Sequence, residues 1–370
     1  MFMIKFKKVD SQTDKRFYRR VQFVFIIMPL GKFFKATNVV WSLVIMVLLN
    51  NQASNSEHSV STFIKNGVIW NDTDGQSIQA HATGILIDPH DNSYWWYGES
   101  LKTANLSDHG INCYHSTDLL TWTNMGQVLG QQQVSIQGQP GPYVIERPKV
   151  LWNSVTERFV MWFHLDSSSY SYRYVGIAIS PVPNGVFTFI HAFQPDGIPS
   201  LDMNLYEDKR NGSVRGAYLV RSCNNQYVGI SRLTDDYLNT TGLTSTINEP
   251  REGHAIFHRN NNYYMMTSHL TGWMPNPAEL FISNADSLQD ARWISLGNPT
   301  NSVTTFNTQS TFVLPFPSTK QPGTQFYIYM GDRWNYPALL SASYVWLPYK
   351  FHSDTNVTLE WQDQWSLSDY

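Results

Sequence analysis

The chain has 370 residues, 42% of them apolar and only 15% charged, which suits a large buried core and excludes a disordered chain. Its 13 Trp, 20 Tyr and 20 Phe favour strands over helical bundles rich in Ala, Glu and Lys. The formal charge of −3 averages two unlike regions: nine of the 26 Lys and Arg lie between Lys5 and Lys35, leaving residues 51–370 with 17 basic against 27 acidic side chains, a balance that argues against nucleic acid as a partner of that body.

The basic segment leads into two apolar runs, VQFVFIIMPL (21–30) and VVWSLVIMVLL (39–49). Neither reaches the roughly 18–20 residues of a comfortable bilayer span. The second has the length of a signal-peptide apolar region, with Lys32 and Lys35 before it and Ala53 at a suitable cleavage position. Residues 1–57 therefore read as a basic segment carrying a secretion signal, with Met28 as an alternative initiator. An uncleaved type II anchor is the competing reading, and it would make the chain a single-pass membrane protein. Five acceptor sequons, at Asn71, Asn105, Asn211, Asn239 and Asn356, agree with passage through a secretory lumen. Cys113 and Cys223 are the only cysteines, so no disulfide framework holds the fold, and one bridge between them stays open.

From residue 58 onward short aromatic runs bounded by Asn, Asp, Gly and Pro replace any helical periodicity. SYWWYGES (93–100), RFVMWFHL (158–165), GAYLVRSC (216–223), NYYMMTSH (262–269) and QFYIYMGD (325–332) each follow a polar turn. A second type of strand comes after each: INCYHSTDLLTW (111–122), VGIAISPVPNGVFTF (175–189), VGISRLTDDYL (228–238), ELFISNADSLQDARW (279–293) and a looser ALLSASYVWLPYKF (338–351). A multistranded unit recurring about every 46–65 residues, unable to bury both faces alone, predicts an all-β, five-bladed β-propeller over residues 58–370. The aromatic runs are expected to be its inner strands. A β-sandwich with regular turns is the competing fold. Nothing in residues 58–370 resembles a linker, and they read as one domain and a monomer.

A propeller gathers one end of its inner strands around an axial funnel, which directs attention to polar residues at equivalent places in the repeats: His81, Glu99, Glu146, Asp202, Glu252, Gln309 and Asp332. Each has a plainer reading. Glu146 in YVIERPKVLWN suits a solvent-facing strand, Glu252 in NEPREGHAIF a turn, Asp202 an Asx cap, Gln309 in TFNTQSTF a polar core network, and Glu99 a structural role. No metal-ligand spacing, dinucleotide or phosphate loop, or nucleophile elbow is present, so no cofactor and no metal are expected. Two carboxylates with polar partners in an aromatic-lined funnel are the equipment of glycoside hydrolysis.

At these residues the sequence resembles glycoside hydrolase family 43, and within it the exo-β-1,3-galactanase group. The matching stretches include IQAHATGILID (78–88), ERPKVLWN (146–153), LDMNLYED (201–208), NYYMMTSHLTGWMPNPAELFIS (262–283), NTQSTFVLP (307–315) and YIYMGDRWN (327–335), and they span residues 78–361 in order. The resemblance implies a five-bladed propeller that removes galactose or a short galactoside from the non-reducing end of β-1,3-galactan, in arabinogalactan-type glycans, with inversion. It implies Glu252 as general acid, Asp202 as the carboxylate that tunes it, and Glu146 as holder of the sugar in the −1 position. Gln309 matches the glutamine that stands where the base would be, because QAHATG (79–84) lacks the first-blade Asp usual in the family. Glu99, Trp273 and Asp332 are implied as pocket wall. An inverting arrangement would set Gln309 roughly 6.5–9.5 Å from the Glu252 carboxylate. Three departures stand out: Gly253-His254-Ala255 after the acid, Leu201 where Arg is common, and Ala82-Thr83-Gly84 in the first blade. His254 is expected to supply a titrating cation in place of that Arg. The alternatives are a carbohydrate-binding propeller without turnover, and a family member acting on arabinan or xylan, which the missing first-blade Asp argues against.

Overall fold

The computed structural model describes residues 62–101 and 105–370; the secretion signal or anchor expected within residues 1–57 lies outside them. Five four-stranded antiparallel sheets follow one another along the chain, each built from consecutive strands. The innermost strands are His81–Ile87, Val144–Asn153, Ser200–Arg210, Glu252–Arg259 and Gln309–Pro317. They pack side by side around a ring, with the last against the first, so the sheets are the blades of a five-bladed propeller.

Strand alternation explains the architecture. In Arg158–Asp166, Phe159, Met161, Phe163 and Leu165 belong to the core shared with blade 1, whereas Val160 and Trp162 belong to the core shared with blade 3. Successive side chains point to opposite faces, and both faces of each blade are covered by neighbours. Each of the five core clusters accordingly lies between two adjacent blades. This corrects one expectation: the aromatic runs are the second strands, where two buried faces demand large side chains, and the axis is lined by the less aromatic strands before them.

The ring is closed by rings of another kind. Ile64–Lys65 pairs with Gln364–Trp365, and beneath this short ribbon Trp96 and Trp346 lie 5.2 Å apart between blades 1 and 5. Trp70 packs edge-on against Trp346 at 4.8 Å, and the Trp365 indole donates to the Trp346 carbonyl at 2.7 Å. Cys113 and Cys223 are separate, buried free thiols, so no bridge contributes.

Every innermost strand carries a register break near its start: between His81 and Gly84, Glu146 and Lys149, Ser200 and Met203, Glu252 and Ala255, and Ser310 and Phe312. A β-bulge re-aims the side chains beside it, and here it happens five times around one axis. Because Trp346 is wholly buried at the seam, Trp346→Ala is expected to cost about 3–5 kcal/mol, read as a lowered denaturant midpoint. Val155→Ala, on an exposed turn, should change stability by no more than about 0.5 kcal/mol.

Candidate active site

The bulges open into a cavity of about 350 Å³ at one end of the axis, whose walls include Glu99, Glu146, Arg147, Asp202, Glu252 and Gln309, with Trp273 and Trp334 on one side. At its centre is a cation that the sequence left unassigned. Arg147 follows Glu146 inside the bulge of blade 2 and is almost completely buried. Its guanidinium reaches Asp202 Oδ2 at 2.8 Å and Gln309 Oε1 at 2.6 Å. Arg147 thereby supplies the fixed positive charge whose loss Leu201 seemed to signal. His254 does not: burial pushes its imidazole down to about 4, so it is neutral at ordinary pH.

Three of the bulges share a second device. Ala82, Arg147 and Gly253 have φ of 52°, 52° and 62°, the left-handed region that costs a side-chain-bearing residue about 1–2 kcal/mol. In each case the N–H freed from the ladder is bound by a carboxylate from the preceding blade. Asp332 accepts from Ala82, Glu99 from Arg147 at 2.9 Å, and Asp202 from Gly253 at 2.9 Å. Asp332 is therefore not pocket wall: it is fully buried and holds the seam between blades 5 and 1. His81, stacked 5.0 Å from Tyr344, is buried with it. Glu99 has both roles, since it lines the cavity as well.

Glu252, in the first position of its strand, is partly exposed in the cavity. Burial, and then the Asp202 charge, push its carboxyl up to about 8. Asp202 goes the other way: burial alone would raise it, but the Arg147 guanidinium and the Gly253 N–H outweigh that and hold it below its ordinary value. One acid is thus kept protonated beside one kept ionised, an acid–base division of labour set by surroundings.

Gln309 is not across the cavity from Glu252. Its Nε2 donates to Glu252 Oε1 at 3.0 Å and to Ser268 Oγ at 3.1 Å, while Oε1 accepts from Arg147 and, at 3.1 Å, from the Trp334 indole. Arg and Trp have no acceptor to offer, so these partners fix which end of the amide is oxygen. The expected separation of 6.5–9.5 Å does not hold, and all four hydrogen-bonding positions of the amide are taken. As built, Gln309 orients the acid.

Glu146 receives 2.7 Å and 3.1 Å contacts from the Tyr170 hydroxyl and His164 Nδ1, neither of which was anticipated. Trp273 stacks parallel on Tyr336 at 5.9 Å and edge-on to Trp334 at 5.2 Å. Among the described residues no group of three His, Cys, Asp or Glu is placed to hold a metal ion. The sequence signal for Arg147 was its position next to Glu146 in ERPK, and His164 and Trp334 lie in the quoted runs RFVMWFHL and YIYMGDRWN; for Tyr170 there was none beyond residue type.

Gly253 is one of the departures noted in the sequence, and the site shows what its missing side chain allows. A Cβ there would stand 2.9 Å from Ser268 Oγ, 3.0 Å from Gln309 Cγ and 3.1 Å from the Ser310 carbonyl. Gly253→Ala is expected to push Gln309 off the acid and lower kcat/KM by at least about 10-fold, the rate equivalent of roughly 1.4 kcal/mol; activity equal to wild type would show that the strand relaxes freely.

Comparison with known proteins agrees with this geometry. The sequence model of the glycosyl hydrolases family 43 matches residues 79–293. A variant of an exo-β-1,3-galactanase from Phanerochaete chrysosporium, solved with β-1,3-galactotriose, is 34% identical over 83% of this chain and 68% of that one, with a TM-score of 0.73. An exo-β-1,3-galactanase from Clostridium thermocellum is 32% identical over 83% and 68%, with a TM-score of 0.72. A family 43 β-1,3-galactosidase solved with galactodeoxynojirimycin is 31% identical over 82% of this chain and all of that one, with a TM-score of 0.72. A search of curated protein sequences finds no match. With a family match over more than half of the chain and solved relatives at over 30% identity, this protein belongs to glycosyl hydrolase family 43.

Proposed function

We propose that this protein is an exo-acting, inverting glycosidase that releases galactose or a short galactoside from the non-reducing end of β-1,3-galactan. The observation that carries the reading is Glu252, a protonated carboxyl in a cavity of sugar size, in a chain about one-third identical to enzymes named for that activity. Glu252 gives its proton to the glycosidic oxygen as the C1–O bond breaks, and water attacks C1 from the opposite face and releases its own proton to solvent. The departing sugar leaves toward the wall of Trp273 and Trp334, on the side where Gln309 ties Trp334 to the acid. Asp202 keeps Glu252 protonated, and Arg147 keeps Asp202 ionised. Of the three departures behind the reading without turnover, the one at Leu201 is offset by Arg147, which supplies the cation.

Product analysis by NMR on β-1,3-galactooligosaccharides tests the reading directly. Galactose should appear first as the α-anomer, from the non-reducing end; β-galactose first, internal cleavage, or no release would overturn it. Glu252→Gln should lower turnover on unactivated galactan by about 10²–10⁴-fold while sparing a dinitrophenyl galactoside. Because the Glu252 pKa is raised, the protonated form is complete at low pH and is lost as pH rises through about 8, so wild-type kcat/KM should fall above that pH.

Gln309→Ala separates two roles. The hydrogen bond from Gln309 lowers the Glu252 pKa, so its removal should move this alkaline limb upward with a partial loss of rate. A loss of about 10²–10⁴-fold at every pH, with the limb unmoved in the residual activity, would instead make Gln309 the group that takes the proton of the attacking water.

The export reading is part of the same proposal, supported by exposure of Asn71, Asn105, Asn211, Asn239 and Asn356. Expressed in a glycosylating host, the protein should reach the lumen or medium carrying glycans removed by an N-glycosidase. Unglycosylated cytosolic protein would refute export, and retention in carbonate-washed membranes would indicate the anchor.

A further inference from the structure

Behind Glu146 lies a buried histidine with no part in the proton transfer just described. His164, in the second strand of blade 2, is 1% exposed. Its Nδ1 is 3.1 Å from Glu146 Oε2, and its Nε2 is 3.0 Å from Asp166 Oδ2. A carboxylate only accepts, so both ring nitrogens must donate, and only the imidazolium has two N–H groups. Asp166 is held as a carboxylate from its other side: Oδ1 accepts the backbone N–H groups of Ser167 at 2.9 Å and Tyr172 at 2.7 Å.

The groups that face His164 are Glu146 from the innermost strand, Asp166 from its own strand, and Tyr170 from the following loop, with ring centroids 5.9 Å apart. Asp202 of blade 3 feels its charge at longer range. Burial opposes protonation, yet the hydrogen bonds to Asp166 and Glu146 outweigh it and raise the ring to about 9.

We propose that His164 and Asp166 are positioning residues that hold the Glu146 side chain in place, as a fixed hydrogen-bond acceptor for a hydroxyl of the bound sugar. With both N–H groups committed to carboxylates, the imidazolium has none left for the sugar, and it acts through Glu146 alone. Tyr170 sets the second oxygen of the same carboxylate. Glu99 is the complement: burial, and then the Glu146 charge, raise it to about 8, and its Oε1 already accepts from the Arg147 N–H. The neighbouring carboxyl groups therefore present opposite characters, one accepting and one donating. A sugar hydroxyl can do both, so a pair of adjacent hydroxyls is read in a defined sense.

This inference rests on the glycosidase reading for its ligand but not for its first test. In wild-type protein labelled with ¹⁵N-histidine and free of substrate, the His164 ring should show two protonated nitrogens at pH 7.5. A neutral-ring signature there overturns the proposal whatever the enzyme does. The second test is galactose binding to Asp166→Asn, which keeps an acceptor for the loop N–H groups while removing the charge beside Nε2. Its affinity should fall about 10-fold or more at pH 8, the scale of a charged hydrogen bond, and stay low at pH 6, because the amide that keeps its oxygen on the loop N–H groups turns its NH2 toward Nε2 and disfavours the ring proton there. His164→Gln should weaken binding at both pH values, raising KM more than it lowers kcat. Wild-type affinity in Asp166→Asn at pH 8, or a loss in His164→Gln confined to kcat, would overturn the proposal. Galactose binding with no turnover on any galactoside would refute the glycosidase reading instead and leave the ring's charge state as measured.

Discussion

The site depends on one guanidinium. Arg147 stands almost without solvent at the propeller axis, and a buried cation is tolerated only when its donors are met and its charge is balanced. Asp202 and the Gln309 carbonyl oxygen do this, and both serve the acid: Asp202 by its charge, Gln309 by its amide. Removing the cation would leave Asp202 with the Gly253 N–H as its remaining partner, raise its pKa, and weaken the repulsion that helps keep Glu252 protonated. The carboxylates are thus arranged about Arg147 as much as about the substrate.

What brings Arg147 to the axis is a strained backbone repeated by the fold. A regular strand alternates its side chains between the two blade faces and would commit residues 146 and 147 to the blade-to-blade cores. The bulge breaks that alternation, and the left-handed conformation of Ala82, Arg147 and Gly253 turns an N–H out of the ladder. Such strain persists where the surroundings over-determine it. Carboxylates of the preceding blades do so here, making each bulge a fastening between neighbouring blades. Glu99 and Asp332 occupy like positions on their second strands, opposite His81 and Gln309; only Glu99 also faces the cavity.

The charge pattern follows from the same geometry. Arg147⁺ and the His164 imidazolium lie against Asp202, Glu146 and Asp166, while Glu252 and Glu99, buried beside those anions, hold their protons to about pH 8. An entirely ionised set would repel itself in a confined space, and the raised pKa values are the way the cluster avoids that. Binding and proton donation are then performed by carboxyl groups of the same chemical type in different charge states.

Sequence alone determined the architecture, because the cause is local and repeated: short aromatic strands with polar turns, recurring about every 46–65 residues, need neighbours on both faces, and five such units close on themselves. It also singled out Glu146, Asp202, Glu252 and Gln309, which recur near the start of successive repeats and do line one cavity. It could not decide which strand is innermost, since aromatic content marks burial between two neighbours rather than nearness to the axis. Nor could it pair Arg147 with Asp202, 55 positions away, set Gln309 beside Glu252 instead of opposite it, neutralise His254 by burial, or withdraw Asp332 into the seam. Those outcomes depend on bulges that reverse the direction of single side chains and on charges brought together from different blades, and only the closed ring contains both.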